Sequence, residues 1–231
     1  DVYENWTDVP GILAADPKIV KRPAPIETLS YPELQLLSAA GTQVLHESAV
    51  APVRERQIPL HIRSTFAPDA PGTRIGFDAP ASLSASGVIG FAGRRPVSML
   101  RVIFPENTEE TALWEVRACL NEHRIETFHS ACGVEGLCLL LSSGAEADAL
   151  HAAAEQLREH FSGAQVKLRE NLAVLLALCR STKDIPKLSA AIEASGAPVH
   201  HLVQTPPGAM FCVNDSQYEQ ALRAAYQAAF G

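Results

Sequence analysis

The side chains best placed to do chemistry near the start of the sequence are two aspartates and a lysine in ENWTDVPGILAADPKIV, residues 4–20. Asp8 begins a Pro-Gly turn, and Asp16 stands directly before a proline and Lys18. Ionised carboxylates only accept hydrogen bonds, so each aspartate suits the hydroxyl groups of a ligand. The ordinary alternative is that both aspartates bond their own backbone as turn residues. The residues alone leave both interpretations open.

A second set of candidate side chains consists of three histidines, His129, His200 and His201. Adjacent residues in a strand point to opposite faces, so His200 and His201 cannot both ligate one ion. The sequence offers no further ligands at the usual zinc spacing. We therefore expect no metal site, and we expect these histidines to be half-buried strand residues.

The cysteines give a third set, and their number is odd, with no pair spaced CxxC. Most stand in apolar runs such as GLCLLL and LLALCRS. This pattern predicts buried, reduced thiols and a cytoplasmic protein. The five residues are Cys119, Cys132, Cys138, Cys179 and Cys212.

Composition bounds the class of protein. The chain has 231 residues, of which 47% are hydrophobic and 19% charged, which is typical of one large or two to three small globular domains. Its formal charge of −7 argues against a nucleic-acid or anionic-membrane partner. No apolar run approaches the roughly 20 residues of a membrane span, and DVYENW lacks the features of a signal peptide.

The elements that must position the first set of residues mix strands and helices. Ser30 is a plausible N-cap, with a proline and Glu33 in the first turn of the helix that follows. IPLHIR alternates apolar and polar residues as a half-buried strand does. The sequence thus predicts a strand at DVYENW, helices from Ser30 to about Val44 and over about 48–56, a strand at 58–63, a loop at 65–73 and a linker at 78–86.

Past residue 87, strand-like runs alternate with amphipathic helices at short intervals. We predict a strand at 88–93. A βαββαβ unit of the ferredoxin-like plan follows, with strands at 98–104, about 124–131, 136–141 and 164–169 and helices over about 109–122 and 145–161. The pattern then restarts with strands at 172–179, 197–203 and 209–213 and helices over 181–195 and about 216–230. This second unit has only three strands, so we expect it to borrow the spare strand at 88–93.

The ordered series WTDVPG, DP, LSY-x-E, VLH and F-x-P-x-A-P-GT resembles the C-terminal part of the amino-acid-kinase domain of aspartokinase. Two ACT-like units after a kinase domain are also that family's arrangement, so the resemblance covers the whole chain. It is most similar to the lysine-sensitive kind. The implied fold class is α/β and α+β: a partial kinase lobe at 1–80, then two threaded ferredoxin-like ACT domains at 81–171 and 172–231, the second completed by strand 88–93.

The resemblance also implies a nucleotide site. In this family the WTDVPG turn lies at the nucleotide, after a sheet strand, where ligands of open α/β sheets sit. Thr7 and Asp8 would face ATP, with Asp8 near the ribose. Asp16 and Lys18 would border the nucleotide and its phosphates, where a cation offsets the charge that moves in phosphoryl transfer. ATP and Mg²⁺ are implied for the full enzyme, and this chain alone requires neither.

Three positions depart from the family pattern. Leu13 stands where the family usually has Tyr, Lys18 where it has Arg, and Gln43 where it has Lys. Leu13 removes an aromatic surface, Lys18 keeps charge without the bidentate fork, and Gln43 removes a positive charge. These changes motivate a second hypothesis: a non-catalytic ACT-type amino-acid-binding or dimerisation module attached to a decayed kinase lobe.

The family's catalytic lysine lies in an N-terminal Lys-Phe-Gly-Gly motif, and this sequence has no two adjacent glycines. The family's aspartate pocket also has no counterpart here. We therefore assign no catalytic residue in this chain and expect it to be inactive by itself. The first hypothesis is that it is the C-terminal nucleotide-site and regulatory portion of an aspartate kinase. The full enzyme would phosphorylate the β-carboxylate of aspartate with ATP, the entry step to lysine, threonine and methionine.

ACT units of this family bind an amino acid, usually lysine or threonine, between the paired sheets of a dimer. The resemblance places Glu126 where an aspartate receives the lysine amine, and Ser130 at a hydroxyl position. The loop at 104–112 would meet the effector's carboxylate, but it lacks the usual glycine. Its acids could repel that carboxylate or merely stabilise a helix N-terminus, and they are Glu106, Glu109 and Glu110. We expect a homodimer that binds lysine weakly or not at all.

Overall fold

The computed structural model describes residues 2–41, 47–77, 87–105, 111–133, 136–142, 144, 146–205 and 207–231. Within these ranges the chain has a mixed α/β architecture, as predicted. The strands are β1 (Tyr3–Thr7), β2 (Thr28–Ser30), β3 (Leu60–Ser64), β4 (Thr73–Gly76), β5 (Val88–Ile103), β6 (Thr127–Gly133), β7 (Gly136–Ser142), β8 (Gln165–Cys179), β9 (His201–Thr205) and β10 (Gly208–Asn214). The helices are α1 (Tyr31–Ala39), α2 (Glu47–Glu55), α3 (Ala112–Glu122), α4 (Ala147–His160), α5 (Ile185–Ala194) and α6 (Tyr218–Phe230).

The chain divides into two compact units. The first comprises residues 1–94, 174–213 and 217–231, and the second comprises residues 95–173 and 214–216. The predicted kinase portion and most of the predicted second ACT-like domain therefore share one unit. The strand VIGFAG lies in that unit as well.

The predicted kinase portion of the first unit is built on a four-stranded sheet in the order β1-β3-β4-β2. β1 runs parallel to β3, while β3 and β4 are antiparallel. In β3, Leu60 and Ile62 are fully buried and alternate with half-buried polar residues, which is the pattern that predicted the strand. The short strand β4 was not predicted. The predicted loop at 65–73 overlaps its first residue, Thr73.

Helix α1 begins as predicted and ends early. Ser30 accepts a hydrogen bond from the Glu33 amide, and the Glu33 carboxylate accepts one from the Ser30 amide, which makes a complete capping box. The helix ends at Ala39 rather than near Val44, because Gly41 adopts a φ of 109° that continues no helix. A Cβ on Gly41 would stand 2.5 Å from the Gly93 carbonyl oxygen. Residues 42–46, and the predicted linker at 78–86, lie outside the described residues.

The remaining part of the first unit contains strand segments in the order β5-β8-β10-β9. Residues 174–179 of β8 are almost fully buried. β9 and β10 form an antiparallel hairpin in which Gly208 pairs with Thr205. Helices α5 and α6 pack against each other, and α6 buries one face made of Tyr218, Ala221, Leu222 and Ala225.

The second unit contains segments in the order β6-β7-β5-β8, together with α3 and α4. Its core is a cluster of leucines, valines and alanines between the sheet and the two helices, including Leu100, Val116, Leu139 and Leu157. Two predicted breaks are wrong: 88–93 and 98–104 belong to the single strand β5, and 164–169 and 172–179 to the single strand β8. β5 continues through Arg94 and Arg95, and β8 continues through Glu170 and Asn171 although Asn171 has a φ of 55°.

All five cysteines are free, and four are buried as predicted. The prediction is wrong for Cys132, which is exposed near the end of the edge strand β6. Burial, with a smaller effect from Asp184, raises the pKa of the Cys179 thiol to about 11. Such a thiol stays protonated and unreactive at neutral pH. Within the described residues, every helix is too short or too polar to cross a membrane.

Candidate functional site

The predicted nucleotide residues lie at one edge of the four-stranded sheet. Thr7 ends β1 and is paired with Ser64, which ends the parallel strand β3. Thr73 begins β4 at the same edge, because β4 is antiparallel to β3. β2 is parallel to β4, so the connection of residues 8–27 both leaves and re-enters the sheet here. This edge carries the carboxyl ends of β1 and β3, the usual place for ligands in α/β sheets.

Thr7 and Asp8 are joined by a hydrogen bond, in which the Thr7 hydroxyl donates to the Asp8 carboxylate over 3.1 Å. The Thr7 carbonyl accepts from both the amide and the hydroxyl of Thr65, at 2.8 and 3.0 Å. These bonds fix the main chain where β1 ends. Asp8 itself is exposed, so its remaining acceptor capacity faces solvent.

The connection of residues 12–26, which we call the edge loop, is closed at its base by Thr73. The Ile12 amide donates to the Thr73 hydroxyl over 2.8 Å, and that hydroxyl donates to the Ile26 carbonyl over 2.6 Å. Thr73 is fully buried. Gly11 reaches it with a φ of 124°, and a Cβ there would lie 2.7 Å from the hydroxyl oxygen. The glycine of WTDVPG is therefore required by close approach.

The two arms of the edge loop pair with each other above that base. Ile26 donates to the Ile12 carbonyl and Ala14 donates to the Ala24 carbonyl, each over 2.8 Å. Leu13 bridges to Pro25 between these bonds and is half-buried. Leu13 is thus part of the paired arms. Gln43 lies outside the described residues.

The tip of the edge loop is a turn built by Asp16. Its carboxylate accepts from the Lys18 amide over 2.8 Å, and its carbonyl accepts from two further amides of the turn. The turn-residue interpretation of Asp16 therefore applies. The tip also presents cations to solvent, since Lys18, Lys21 and Arg22 are all exposed. A phosphate-bearing ligand would find positive charge at this tip.

Sequence reasoning missed two hydroxyl residues that shape this edge. The Thr73 hydroxyl bonds both ends of the edge loop. The feature of the sequence that could have indicated it is the Pro-Gly turn directly before it, at Pro71 and Gly72. The Ser64 hydroxyl accepts from the amides of Phe66 and Ala67, each over 3.3 Å, and so shapes the turn after β3. Phe66 is 82% exposed at this edge, which is unusual for a large apolar side chain.

The two predicted effector residues fall on opposite faces of their sheet. The pairing of β6 with β7 shifts by one residue between Thr127, opposite Leu141, and His129, opposite Leu140. Thr127 and Ser130 therefore share the face of the helix-covered core, while Glu126 points to the other face. Ser130 is half-buried and Glu126 is exposed. An unbroken strand would have put both on one face. Glu106, Glu109 and Glu110 lie outside the described residues.

The predicted burial of the histidines is confirmed, since His129, His200 and His201 are all half-buried. Burial lowers the pKa of His129. Among the described residues, its Nε2 atom is buried without a hydrogen-bond partner. The described residues also contain no group of three or more His, Cys, Asp or Glu side chains arranged to hold a metal ion.

A buried ion pair links two distant parts of the first unit. Arg180, just after β8, donates from Nε to Glu33 Oε1 over 2.7 Å and from a terminal nitrogen to Oε2 over 3.0 Å. The Glu33 side chain is 5% exposed. Burial alone would raise the pKa of Glu33, but hydrogen bonds from Arg180 and Ser30 outweigh it and hold that pKa below its usual range. Glu33 therefore both caps α1 and binds the segment after β8.

The chain is similar to known proteins along its whole length. Residues 1–64 match the model of the amino acid kinase family. Over its whole length the chain is 25% identical to aspartokinase 3 of Bacillus subtilis and covers 52% of it. Aspartate kinase of Clostridium acetobutylicum matches 99% of the chain at 28% identity with a TM-score of 0.86, and 54% of that protein is covered. Aspartokinase III of Escherichia coli, at 21% identity and a TM-score of 0.78, shows the same fold.

Residues 1–64, which contain β1, β2 and β3 of this sheet, are similar to the amino acid kinase family. The particular relatives are aspartokinases: the predicted resemblance is confirmed, and the chain is related to that family. It spans about half the length of the aspartokinases that it matches over its whole length.

Proposed function

We propose that this chain is the nucleotide-site edge and regulatory region of an aspartate kinase. The full enzyme would transfer the γ-phosphoryl group of ATP to the β-carboxylate of aspartate. The observation that carries the proposal is the likeness to clostridial aspartate kinase, which runs through 99% of the chain and not only through its kinase portion. The E. coli relative was solved in complex with aspartate and ADP, which supports nucleotide binding by the full enzyme.

The side chains of the edge fit a nucleotide. Asp8 is exposed beside a fixed strand end and offers acceptors for the ribose hydroxyls. Lys18 would meet the phosphates, with Lys21 and Arg22 adding charge nearby. Thr7 holds Asp8, and Asp16 shapes the turn beneath Lys18. Mg²⁺ would arrive with ATP and supply charge neutralisation between the phosphates.

The domain plan belongs to the same proposal. We infer a kinase portion at 1–80 and two ACT-like domains at 81–171 and 172–231, with the strand at 88–93 completing the second. Residues up to 94 and residues 174–213 belong to one compact unit, which supports the assignment of the strand at 88–93 to the second ACT-like domain. The lysine-sensitive subtype, the link to lysine, threonine and methionine synthesis and a cytoplasmic location are inferred on the same basis, the last from five free thiols.

The test is aspartate phosphorylation by the full-length protein that carries these residues. Aspartyl phosphate, trapped as its hydroxamate, should form only with both aspartate and MgATP. Asp8→Ala should raise the KM for ATP at least tenfold, because the ribose loses its acceptor, and should leave the KM for aspartate nearly unchanged. A folded, dimeric protein without activity would refute the proposal and favour the second hypothesis, a non-catalytic amino-acid-binding or dimerisation module.

We predict a homodimer formed through residues 88–231. Among the described residues, β6 and β9 are the edge strands of their sheet segments, and an open edge favours pairing with a symmetric copy. Light scattering at high micromolar concentration should give twice the chain mass. A monomer under those conditions would show that both edges remain unpaired.

We predict weak or undetectable lysine binding, although E. coli aspartokinase III was solved with lysine and aspartate. The bulge in β6 puts Ser130 on the opposite face from Glu126, the acid that the resemblance places at the amine. Repulsion between the carboxylate of lysine and one acid of the loop at 104–112 would weaken binding further, by on the order of 1 kcal/mol. Calorimetry at neutral pH should show no low-micromolar lysine or threonine site. If lysine does bind tightly, Glu126→Ala should abolish the signal.

A further inference from the structure

We propose that Tyr226 and Arg223 of helix α6 are positioning residues for the nucleotide, acting through the edge loop that carries Asp16 and Lys18. This inference rests on the proposed nucleotide site and extends it. Neither side chain belongs to the predicted kinase portion. Both bind the main chain of the edge loop, so they set where its exposed tip stands.

Tyr226 holds the returning arm of the loop. The Ala24 amide donates to the Tyr226 hydroxyl over 2.9 Å, across 202 residues of sequence. In the pairing of the two arms it is the Ala24 carbonyl that takes part, as the acceptor from the Ala14 amide. The Tyr226 ring is itself fixed, because it stacks on Phe230 with ring centres 4.7 Å apart and meets Phe91 at 6.5 Å.

The outgoing arm is held by strand β5. The Phe91 amide donates to the Ala14 carbonyl over 2.7 Å. The contact is close, because a Cβ on Gly90 would lie 3.0 Å from the Ala14 Cα. The same aromatic side chain, Phe91, supports Tyr226. Both arms are thus attached to one surface made of β5 and α6.

Arg223 holds the tip. Its Nε donates to the Ile19 carbonyl over 3.1 Å, one residue beyond Lys18. A terminal nitrogen also bonds Glu219 one turn earlier on α6, which keeps the guanidinium over the loop. Lys18 and Asp16 stay exposed, and the Asp16 carboxylate accepts its hydrogen bond from the Lys18 amide within the tip itself. The loop is therefore fixed through its backbone, while the side chains that would meet a nucleotide stay accessible.

The consequence is that nucleotide affinity depends on a helix that never touches the nucleotide. Releasing Ala24 or Ile19 would let the tip sample other positions. The binding-competent arrangement would then be a smaller fraction of the population, which weakens apparent affinity in proportion.

The experiment compares Tyr226→Phe with Tyr31→Phe in the full chain. Tyr226→Phe keeps the aromatic stack and removes only the acceptor of the Ala24 amide. Tyr31→Phe is the matched control, because its hydroxyl donates to the Ile58 carbonyl away from the edge loop. Hydrogen exchange at the Ala24 amide and calorimetric affinity for MgADP are measured in each. Arg223→Met and Arg223→Lys form a second pair, in which lysine can still donate to Ile19.

We expect Tyr226→Phe to speed Ala24 exchange roughly tenfold and to weaken MgADP binding about three- to tenfold, with neither change in Tyr31→Phe. Arg223→Met should weaken MgADP binding and Arg223→Lys should restore most of it. Unchanged Ala24 exchange, or faster exchange with unchanged affinity, would overturn the positioning role while leaving the nucleotide site standing. A wild-type chain that binds no MgADP would instead overturn the nucleotide site and the role built on it.

Discussion

Replacing Arg180 by Met is expected to lower the free energy of unfolding of the chain by about 3 kcal/mol at neutral pH. The change leaves the Glu33 carboxylate 5% exposed and without its bidentate partner. Removing one member of a buried ion pair is costly, because the remaining charge keeps its desolvation penalty. Urea denaturation at neutral pH measures the loss.

The matched control is the double variant Glu33→Gln with Arg180→Met. Glutamine at this position preserves the capping box of α1, so only the two charges disappear. The double variant has no buried charge without a partner, so it should recover most of the lost free energy of unfolding. If Arg180→Met alone stays within about 0.5 kcal/mol of wild type, the pair contributes no more than a surface salt bridge.

The same pair predicts a pH dependence. The pKa of Glu33 is lowered in the folded chain, so its stabilising contribution is present above the ordinary carboxyl pKa and is lost as pH falls through the folded pKa. In Arg180→Met, burial then dominates and raises that pKa, so the variant is penalised most at neutral pH. The stability difference between wild type and variant should therefore shrink between about pH 6 and pH 4.

Replacing Thr73 by Val is the second large expected effect, a loss of about 3 kcal/mol. Valine has nearly the same shape, but it leaves the Ile12 amide without its acceptor and the Ile26 carbonyl without its donor. Both groups are at the closed base of the edge loop, where Thr73 is fully buried. The loop should also become more sensitive to trypsin at Lys18 and Lys21.

Thr73→Ser is the control for that variant, since it keeps the hydroxyl and loses one methyl group. It should cost only about 1 kcal/mol and leave the trypsin pattern unchanged. Equal stabilities for the serine and valine variants would mean that the hydroxyl does not close the loop, and that the methyl packing alone matters.

Local chemistry explains what the sequence predicted well. The capping box of α1 needs only Ser30 and Glu33, three residues apart, and both are legible in the sequence. The Pro-Gly turn after Thr7 predicts a position that needs glycine, and Gly11 there has a φ of 124°. The alternation in IPLHIR predicted β3 because a strand with one buried face has apolar and polar residues in turn, which neighbouring residues alone reveal.

Contacts between distant residues explain what the sequence did not predict. The bonds of Thr73 to Ile12 and of Tyr226 to Ala24 join residues 61 and 202 positions apart, and no local pattern marks them. The bulge in β6 between Thr127 and His129 inverts the faces of the residues that follow it, and no glycine or proline marks that point in the sequence. The strands predicted separately at 88–93 and 98–104 are one strand, since β5 continues through Arg94, Arg95 and the proline that follows.

The measurement that tests the account most directly is hydrogen exchange of this chain with and without MgADP. If residues 7–26 form the nucleotide edge, saturating MgADP should slow exchange in peptides that cover Thr7 to Ala24 and should leave β6, at Thr127–Gly133, unchanged. Exchange in residues 7–26 that is identical with and without millimolar MgADP would contradict the central claim.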